Sequence, residues 1–370
     1  MINIDDFIKN LRKNDLNFAS GVPDSLLKDL CFEFDKNFKL NHVVAANEGS
    51  ALSLGIGYYL KTKKIPLIYL QNSGLGNMVN PILSLADDNV FNIPLFIIMG
   101  WRGERSKIYK DEPQHISQGY LTEFFLDKLK IKYNIISQNS NYQKIIKNLK
   151  NHAKSKNKIV CLLIRKNVFE KKTSPKKEKL IDNKLMKRED ILKFIIKYLP
   201  KNLTSVSTTG IVSREIYEIL KKNKKINNLM CVGGMGHAIS LATGVALKSK
   251  KKILCFDGDG AITMHLGSLA TSSKLNNIVH VVFNNKSHES VGGHDTSSKH
   301  VKFYKLAKNL GYKKSYITKN NKQALNLILK ALKSNCSNFI EILCKKGHRD
   351  NISRPSEKMT LLKKQFMKKI

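Results

Sequence analysis

From Ile253 to Thr296 the chain reads ILCFDGDGAITMHLGSLATSSKLNNIVHVVFNNKSHESVGGHDT. An apolar run ending in Cys255 and Phe256 meets Gly258, Asp259 and Gly260, and a helical pattern with Met264, Leu266 and Leu269 follows from Ala261. A second apolar run, Ile278 to Phe283, ends in Asn284 and Asn285. Paired glycines let backbone amides approach an anion closely, and a helix starting at Ala261 aims further amides at it. The Asp259 carboxylate, the Asn285 amide oxygen and a backbone carbonyl just beyond form a hard oxygen set that suits Mg²⁺ bridging to phosphates. DGDG also opens calcium loops, but those need a Glu at the twelfth position, and counting from Asp257 that position is Ser268. A plain strand-to-helix turn with no ligand is the other reading of these residues taken alone.

Three further places carry titratable groups in useful settings. In GVPDSLL, Asp24 serves either as the cap of the helix carrying Leu26, Leu27 and Leu30 or as an acid. In HVVAANEGSALSLGIGYYL, Glu48 opens a helix whose Ala51, Gly55 and Gly57 allow close packing, so its carboxyl can be desolvated and its pKa raised. After the strand PLFIIMGW comes WRGERSKIYKDEPQHISQG, a polar loop with Arg102, Arg105, Lys107, Lys110 and His115. Its place after a strand makes it a candidate lid for an anionic substrate, with a helix starting near Pro113.

Strand and helix patterns alternate on both sides of these motifs. Ile4, Phe7, Ile8 and Leu11 recur at helical spacing, and the alternation runs on to KIVCLLIRK at 158–166. The charge-rich segment 167–185 is expected to be a linker. A second series starts near Arg188 and closes with helices over 301–310 and 321–334 and a strand over 339–344. This order predicts an α/β protein of two doubly wound parallel-sheet domains, 1–166 and 186–370.

Composition bounds the function. The chain has 370 residues with a formal charge of +36, and its bases are overwhelmingly Lys, with eight Arg spread along the sequence. A nucleic-acid binder would show an aromatic and basic stripe, and none is visible, so the charge implies attraction for small anions. A dinucleotide-binding dehydrogenase would need GxGxxG closing its first strand, which GGMGHA matches poorly. Six cysteines without CxxC pairing fit buried thiols of a reducing compartment. The polar opening segment is no signal peptide, and no apolar run of about 20 residues spans a membrane, so a cytoplasmic protein is expected.

GDG followed after 23 intervening residues by NN resembles the diphosphate and magnesium motif of thiamine diphosphate enzymes, and ANEG resembles their segment whose glutamate bonds N1′ of the aminopyrimidine. Further, GVPDSLL, AANEGSA, GWRGE, DEPQH, VGGMGHA, FDGDGA and NNKSHESVGG are together similar to the phosphonopyruvate decarboxylase family, with sulfopyruvate decarboxylases its near relatives. The resemblance implies the thiamine diphosphate-binding fold, a pyrimidine-type domain followed by a diphosphate-type domain, and a homodimer or homotetramer with sites at subunit interfaces. It implies Asp259, Asn285 and the backbone oxygen of Ser287 as magnesium ligands, and Glu48 as the partner of N1′. It brings Thr208, Thr209 and Gly210 to the cofactor, with Gly258, Gly260 and the Ala261 amide at its diphosphate. The Gly233 carbonyl would accept from N4′, and Met235 would prop the bent cofactor. The expected reaction removes CO₂ from a small anionic 2-oxo acid, with Asp24 and His115 moving protons and Arg102 and Arg105 binding the anion. His237, His265 and His280 are expected to be structural.

Overall fold

The computed structural model describes residues 1–38, 41–104, 111–170 and 185–370. Arg105, Lys107, Lys110 and the 171–184 part of the expected linker lie outside the described residues. The chain forms two compact units, Met1–Lys179 and Leu180–Ile370.

In the first unit, helices α1 (Ile4–Lys13), α2 (Lys28–Phe38), α3 (Glu48–Thr62), α4 (Leu75–Pro81), α5 (Pro113–Lys128) and α6 (Tyr142–Lys156) alternate with six strands. These are β1 (Ala19–Gly21), β2 (His42–Val44), β3 (Leu67–Gln71), β4 (Phe96–Gly100), β5 (Lys132–Ile136) and β6 (Val160–Ile164). They pair in parallel in the order β2-β1-β3-β4-β6-β5. The central strands are continuous apolar runs because helices cover both faces. On one face Phe7, Leu11, Leu30 and Phe34 meet Tyr69, Ile98 and Leu162; on the other Leu52, Ile56, Met78 and Leu126 meet Ile68, Leu70 and Met99. Helix α1 shows how sequence becomes packing: Asn3 Oδ1 caps the Asp6 amide at 3.2 Å, and Ile4, Phe7, Ile8 and Leu11 are all buried. Burying each such side chain contributes about 1.5–3 kcal/mol. Helix α2 begins at Lys28, later than the expected start before Leu26, because the Asp24 carboxyl accepts from the Leu26 amide at 3.2 Å and ties these residues into a turn.

The second unit repeats the plan. Its helices are α7 (Arg188–Tyr198), α8 (Ile211–Asn223), α9 (Ala238–Ala246), α10 (Asp259–Met264), α11 (Ser268–Ser272), α12 (Phe303–Asn309), α13 (Asn321–Lys333) and α14 (Met359–Met367). Its strands are β7 (Thr204–Ser207), β8 (Asn227–Met230), β9 (Ile253–Gly258), β10 (Ile278–Asn284), β11 (Ser287–His288), β12 (His294–Asp295), β13 (Lys314–Thr318) and β14 (Asn338–Leu343). Six form a parallel sheet in the order β13-β14-β10-β9-β7-β8, while β11 and β12 pair antiparallel as a separate hairpin. Ile195, Ile216 and Ile328 cover Leu254, Phe256 and Val281 on one face; Ile239, Leu269 and Phe303 cover Cys255, Val282 and Phe339 on the other.

Helices α7 and α8 are joined by a buried fork, Arg188 Nε to Glu215 Oε2 at 2.7 Å and Nη2 to Oε1 at 3.0 Å. Helix α14, which the sequence pattern did not reveal, packs on β8, and Asn227 Nδ2 donates to the Phe366 carbonyl at 3.0 Å. The helix expected to start at Ala261 starts at Asp259 and breaks at His265 (φ −139°, ψ 58°), whose ring stacks on His237 at 4.4 Å. Among the described residues no helix is long and apolar enough to cross a membrane.

Candidate active site

Strand order reverses between β1 and β3 in the first sheet and between β7 and β9 in the second, and again at the β6-β5 and β14-β13 borders. Ligands of open α/β sheets bind beyond the carboxyl ends of the strands at such points. In both units the candidate residues follow those strand ends.

In the first unit, Glu48 is the first residue of α3, and Asn47 caps that helix by accepting the Ser50 amide at 2.9 Å. The Glu48 carboxyl is buried and accepts from Asn77 Nδ2 at 2.6 Å. Burial raises its pKa, and the Asn77 bond opposes the shift only in part. Gly74 makes room for it, since a Cβ there would lie 2.3 Å from Glu48 Oε1. A buried carboxyl that holds its proton more tightly than usual can share that proton with a ring nitrogen.

At the ends of β1 and β4 lies a second polar group. Asp24 is 1% exposed, and burial pushes its pKa up to about 6 against the Leu26 amide and the Arg102 charge. It too needs a glycine: a Cβ on Gly100 would sit 1.9 Å from Asp24 Oδ2. Arg102, expected to present its fork to a substrate anion, is held by a residue of this chain instead. Its Nε donates to Asp111 Oδ2 at 2.8 Å, its Nη2 donates to Asp111 Oδ1, and its Nη1 donates to Ser25 Oγ at 2.9 Å. Burial raises the Asp111 pKa, but the Arg102 fork and the Glu112 and Gly103 amides outweigh it and hold this carboxyl well below the usual range. Asn72 clasps the Arg102 backbone from both sides, accepting from its amide at 3.0 Å and donating to its carbonyl at 2.9 Å. His115, in the first turn of α5, is buried, and its Nδ1 has no partner among the described residues. Burial and then the Arg102 charge lower its pKa, so it is a neutral imidazole near pH 7. One guanidinium therefore acts on both Asp24 and His115.

In the second unit, Asp259 opens α10 and is 2% exposed. Its Oδ2 accepts from Thr296 Oγ at 2.8 Å and Ser298 Oγ at 3.2 Å, and burial pushes its pKa up to about 6 against these bonds and the Asn285 amide. Asn285 Oδ1 accepts from the Ser287 amide at 3.2 Å, and its Nδ2 donates to Glu289 Oε1 at 3.1 Å. Hairpin pairing of Ser287 with Asp295 folds this loop back toward Thr296, so Asp259, Asn285 and Ser287 are brought together. A loading cation would take the Asn285 oxygen from the Ser287 amide. The Ser287 and Thr208 hydroxyls are buried without partners among the described residues.

Thr208 is tied to β9 by its amide bond to the Phe256 carbonyl at 2.8 Å, and Thr209 Oγ donates to the Val232 carbonyl at 2.6 Å. Gly210 caps α8 at φ +83°, a conformation that favours glycine. The Gly233 carbonyl accepts from the Met235 amide at 3.1 Å; Gly233 is exposed and Met235 half-buried. Gly258 is open on its side-chain face, Gly260 packs against the His288 ring, and Ala261 is buried. A desolvated carboxylate among neutral partners, with two hydroxyls left unpaired, fits a divalent cation and a phosphate group. Sequence reasoning missed Asn77, Asp111, Thr296 and Ser298. The polar letters of LQNSGLGN and HDTSS were the signal for the first and the last two.

Residues 4–124 match the N-terminal TPP binding domain of thiamine pyrophosphate enzymes, and residues 206–342 match the C-terminal TPP binding domain. A phosphonopyruvate decarboxylase of Streptomyces viridochromogenes is 28% identical, covering 96% of this chain and 91% of its own length. A sulfopyruvate decarboxylase of Methanosarcina acetivorans is 24% identical, over 78% of this chain and 77% of its own. The sulfopyruvate decarboxylase subunit alpha of Methanocaldococcus jannaschii is 31% identical, over 33% of this chain and 68% of its own.

Proposed function

Because the chain belongs to the thiamine pyrophosphate enzymes, we propose that it is a decarboxylase that converts 3-phosphonopyruvate to phosphonoacetaldehyde and CO₂ with thiamine diphosphate and Mg²⁺, a step suited to phosphonate biosynthesis. The observation that carries the reading is the buried Glu48 carboxyl in the space kept by Gly74, and the substrate follows from end-to-end likeness to a phosphonopyruvate decarboxylase.

When bound, the cofactor would supply a carbanion nucleophile and an electron sink for the pair that departing CO₂ leaves behind. This chain's own residues do the rest. Glu48 holds and returns a proton at N1′ through its carboxyl, with Asn77 fixing the orientation. The Gly233 carbonyl keeps a lone pair for N4′, and Met235 offers an apolar prop. Asp259, Asn285 and the Ser287 backbone oxygen would hold Mg²⁺, and Thr208, Thr209, Gly210 and the Gly258–Ala261 backbone would bind the diphosphate. Asp24, half-protonated near pH 6, and neutral His115 are the pair that moves protons at the substrate. Arg102, held by Asp111, stands beside Asp24 and favours its charged form.

Sulfopyruvate, an isosteric anion, is the second reading, favoured by the likeness to the Methanosarcina enzyme. We place the reaction in the cytoplasm, in keeping with six free cysteines, and in a homodimer or homotetramer. The apolar side chains that α5 leaves exposed, Ile116, Tyr120, Phe124 and Phe125, support self-association. The test is CO₂ release from phosphonopyruvate, sulfopyruvate and pyruvate in the presence of thiamine diphosphate and Mg²⁺. Selectivity for phosphonopyruvate supports the reading; selectivity for sulfopyruvate moves the substrate, and no release from any of them rejects the reaction.

A further inference from the structure

Behind the Gly258–Gly260 turn, polar side chains run through the apolar interior of the second unit. Cys255, Asp257 and His280 bring a thiol, a carboxyl oxygen and a ring nitrogen within 4.8 Å of one another. The register explains this: Cys255 and Asp257 are two residues apart on one face of β9, and His280 of β10 lies opposite Cys255. Burial holds the Cys255 thiol far above its ordinary pKa, so it is protonated and a poor ligand. The other two groups are bonded to each other, and the cluster is therefore a hydrogen-bond chain and not a metal centre.

His280 Nε2 lies 3.3 Å from Asp257 Oδ2, and its Nδ1 lies 3.4 Å from the Tyr312 hydroxyl, which is 2.6 Å from Ser272 Oγ. Asp257 Oδ1 accepts the Gly258 amide at 2.9 Å. His280 thus bridges Asp257 Oδ2 and the Tyr312 hydroxyl, and Tyr312 meets Ser272, whose Oγ donates to the Leu269 carbonyl at 3.1 Å. All four side chains are at most 2% exposed, in a place where apolar residues would avoid the cost of desolvation. What the chain holds at its far end is one backbone amide, at the start of the turn that carries Asp259.

We propose that Asp257, His280 and Tyr312 are positioning residues that fix the Gly258 amide and so aim the Gly258–Gly260 turn at the magnesium diphosphate. This rests on the reading of Asp259 as a magnesium ligand. Asp257→Ala removes the acceptor. Asp257→Asn keeps an oxygen that accepts from Gly258 and an amide group that meets His280, so the chain stays connected. Tyr312→Phe leaves the ring packed and removes the hydroxyl that meets both His280 and Ser272.

The experiment is calorimetric titration of the full chain and these variants with thiamine diphosphate in Mg²⁺, alongside hydrogen exchange of residues 257–260 in the ligand-free protein. Wild type should bind. Asp257→Ala should bind roughly 10–100-fold more weakly, the cost of losing an outer-shell partner, with faster exchange at the turn. Tyr312→Phe should lose affinity in the same direction, and Asp257→Asn should stay close to wild type. Wild-type affinity in both Asp257→Ala and Tyr312→Phe overturns the proposal, as does an Asp257→Asn variant as weak as the alanine. A wild type that binds no cofactor rejects the functional reading and this inference with it.

Discussion

Asn77 donates to Glu48 Oε2 at 2.6 Å, so the carboxyl that opens α3 is oriented by the next helix of the same unit. Replacing Glu48 with Gln keeps its shape and removes the proton exchange. We expect kcat to fall by about 10²–10⁴-fold, the usual contribution of a general acid-base group, with an unchanged far-ultraviolet spectrum. Asn77→Ala removes a bond that lowers the Glu48 pKa, so the acid limb of the kcat profile should move to higher pH; an unmoved limb would sever Asn77 from Glu48.

Gly74 should tolerate no side chain. An added Cβ would stand 2.3 Å from Glu48 Oε1, so Gly74→Ala must push the carboxyl aside. Overpacking of this kind costs about 1–3 kcal/mol. Denaturant unfolding reads that cost, and a turnover loss close to that of Glu48→Gln would show that carboxyl placement is what fails.

Asp24 gives a pH-dependent signature. Its folded pKa of about 6 lies above the ordinary aspartate value, so the folded state binds this proton more tightly than the unfolded chain. The stabilisation is fully present below about pH 4 and is lost as pH rises through about 6. Asp24→Asn should therefore gain stability relative to wild type between pH 4 and pH 8, by up to about 3 kcal/mol. Urea midpoints of the ligand-free proteins measure it, and a difference that does not change with pH would place the carboxyl in water.

Asp259→Ala should weaken thiamine diphosphate binding in Mg²⁺ by at least about 100-fold, more than the 10–100-fold expected when an outer-shell partner is lost. Thr296→Ala, which removes a donor 2.8 Å from the same carboxylate, belongs to that smaller class. Equal losses in the two variants would mean that Thr296 itself touches the ligand.

The strands and most helices were legible because period and apolar runs are local properties. Ile4, Phe7, Ile8 and Leu11 announced a face, and the GDG and NN turns announced where strands end. The partners that tune the site were not legible, because they arrive from far along the chain. Thr296 and Ser298 reach Asp259 only because a hairpin folds back, and Asp111 reaches Arg102 from nine positions along the chain. Arg102 shows the difference most clearly, since its residue type suggested an anion and its geometry supplied Asp111. His280 likewise looked like filler in an apolar strand, and only the sheet register sets it between Asp257 and Tyr312.

Helix α14 lies on β8, the last strand of the second sheet, and is held there by the Asn227 side chain. A terminal strand left bare is a template on which further chains add and aggregate. The opposite border, β13, carries Lys314 at its start, a charge that discourages such growth. The border at β8 has instead a removable cover. Cutting the chain before Met359 should leave the Gly258–Gly260 turn intact and open β8 to pairing with further copies, visible as light scattering that rises with concentration and time.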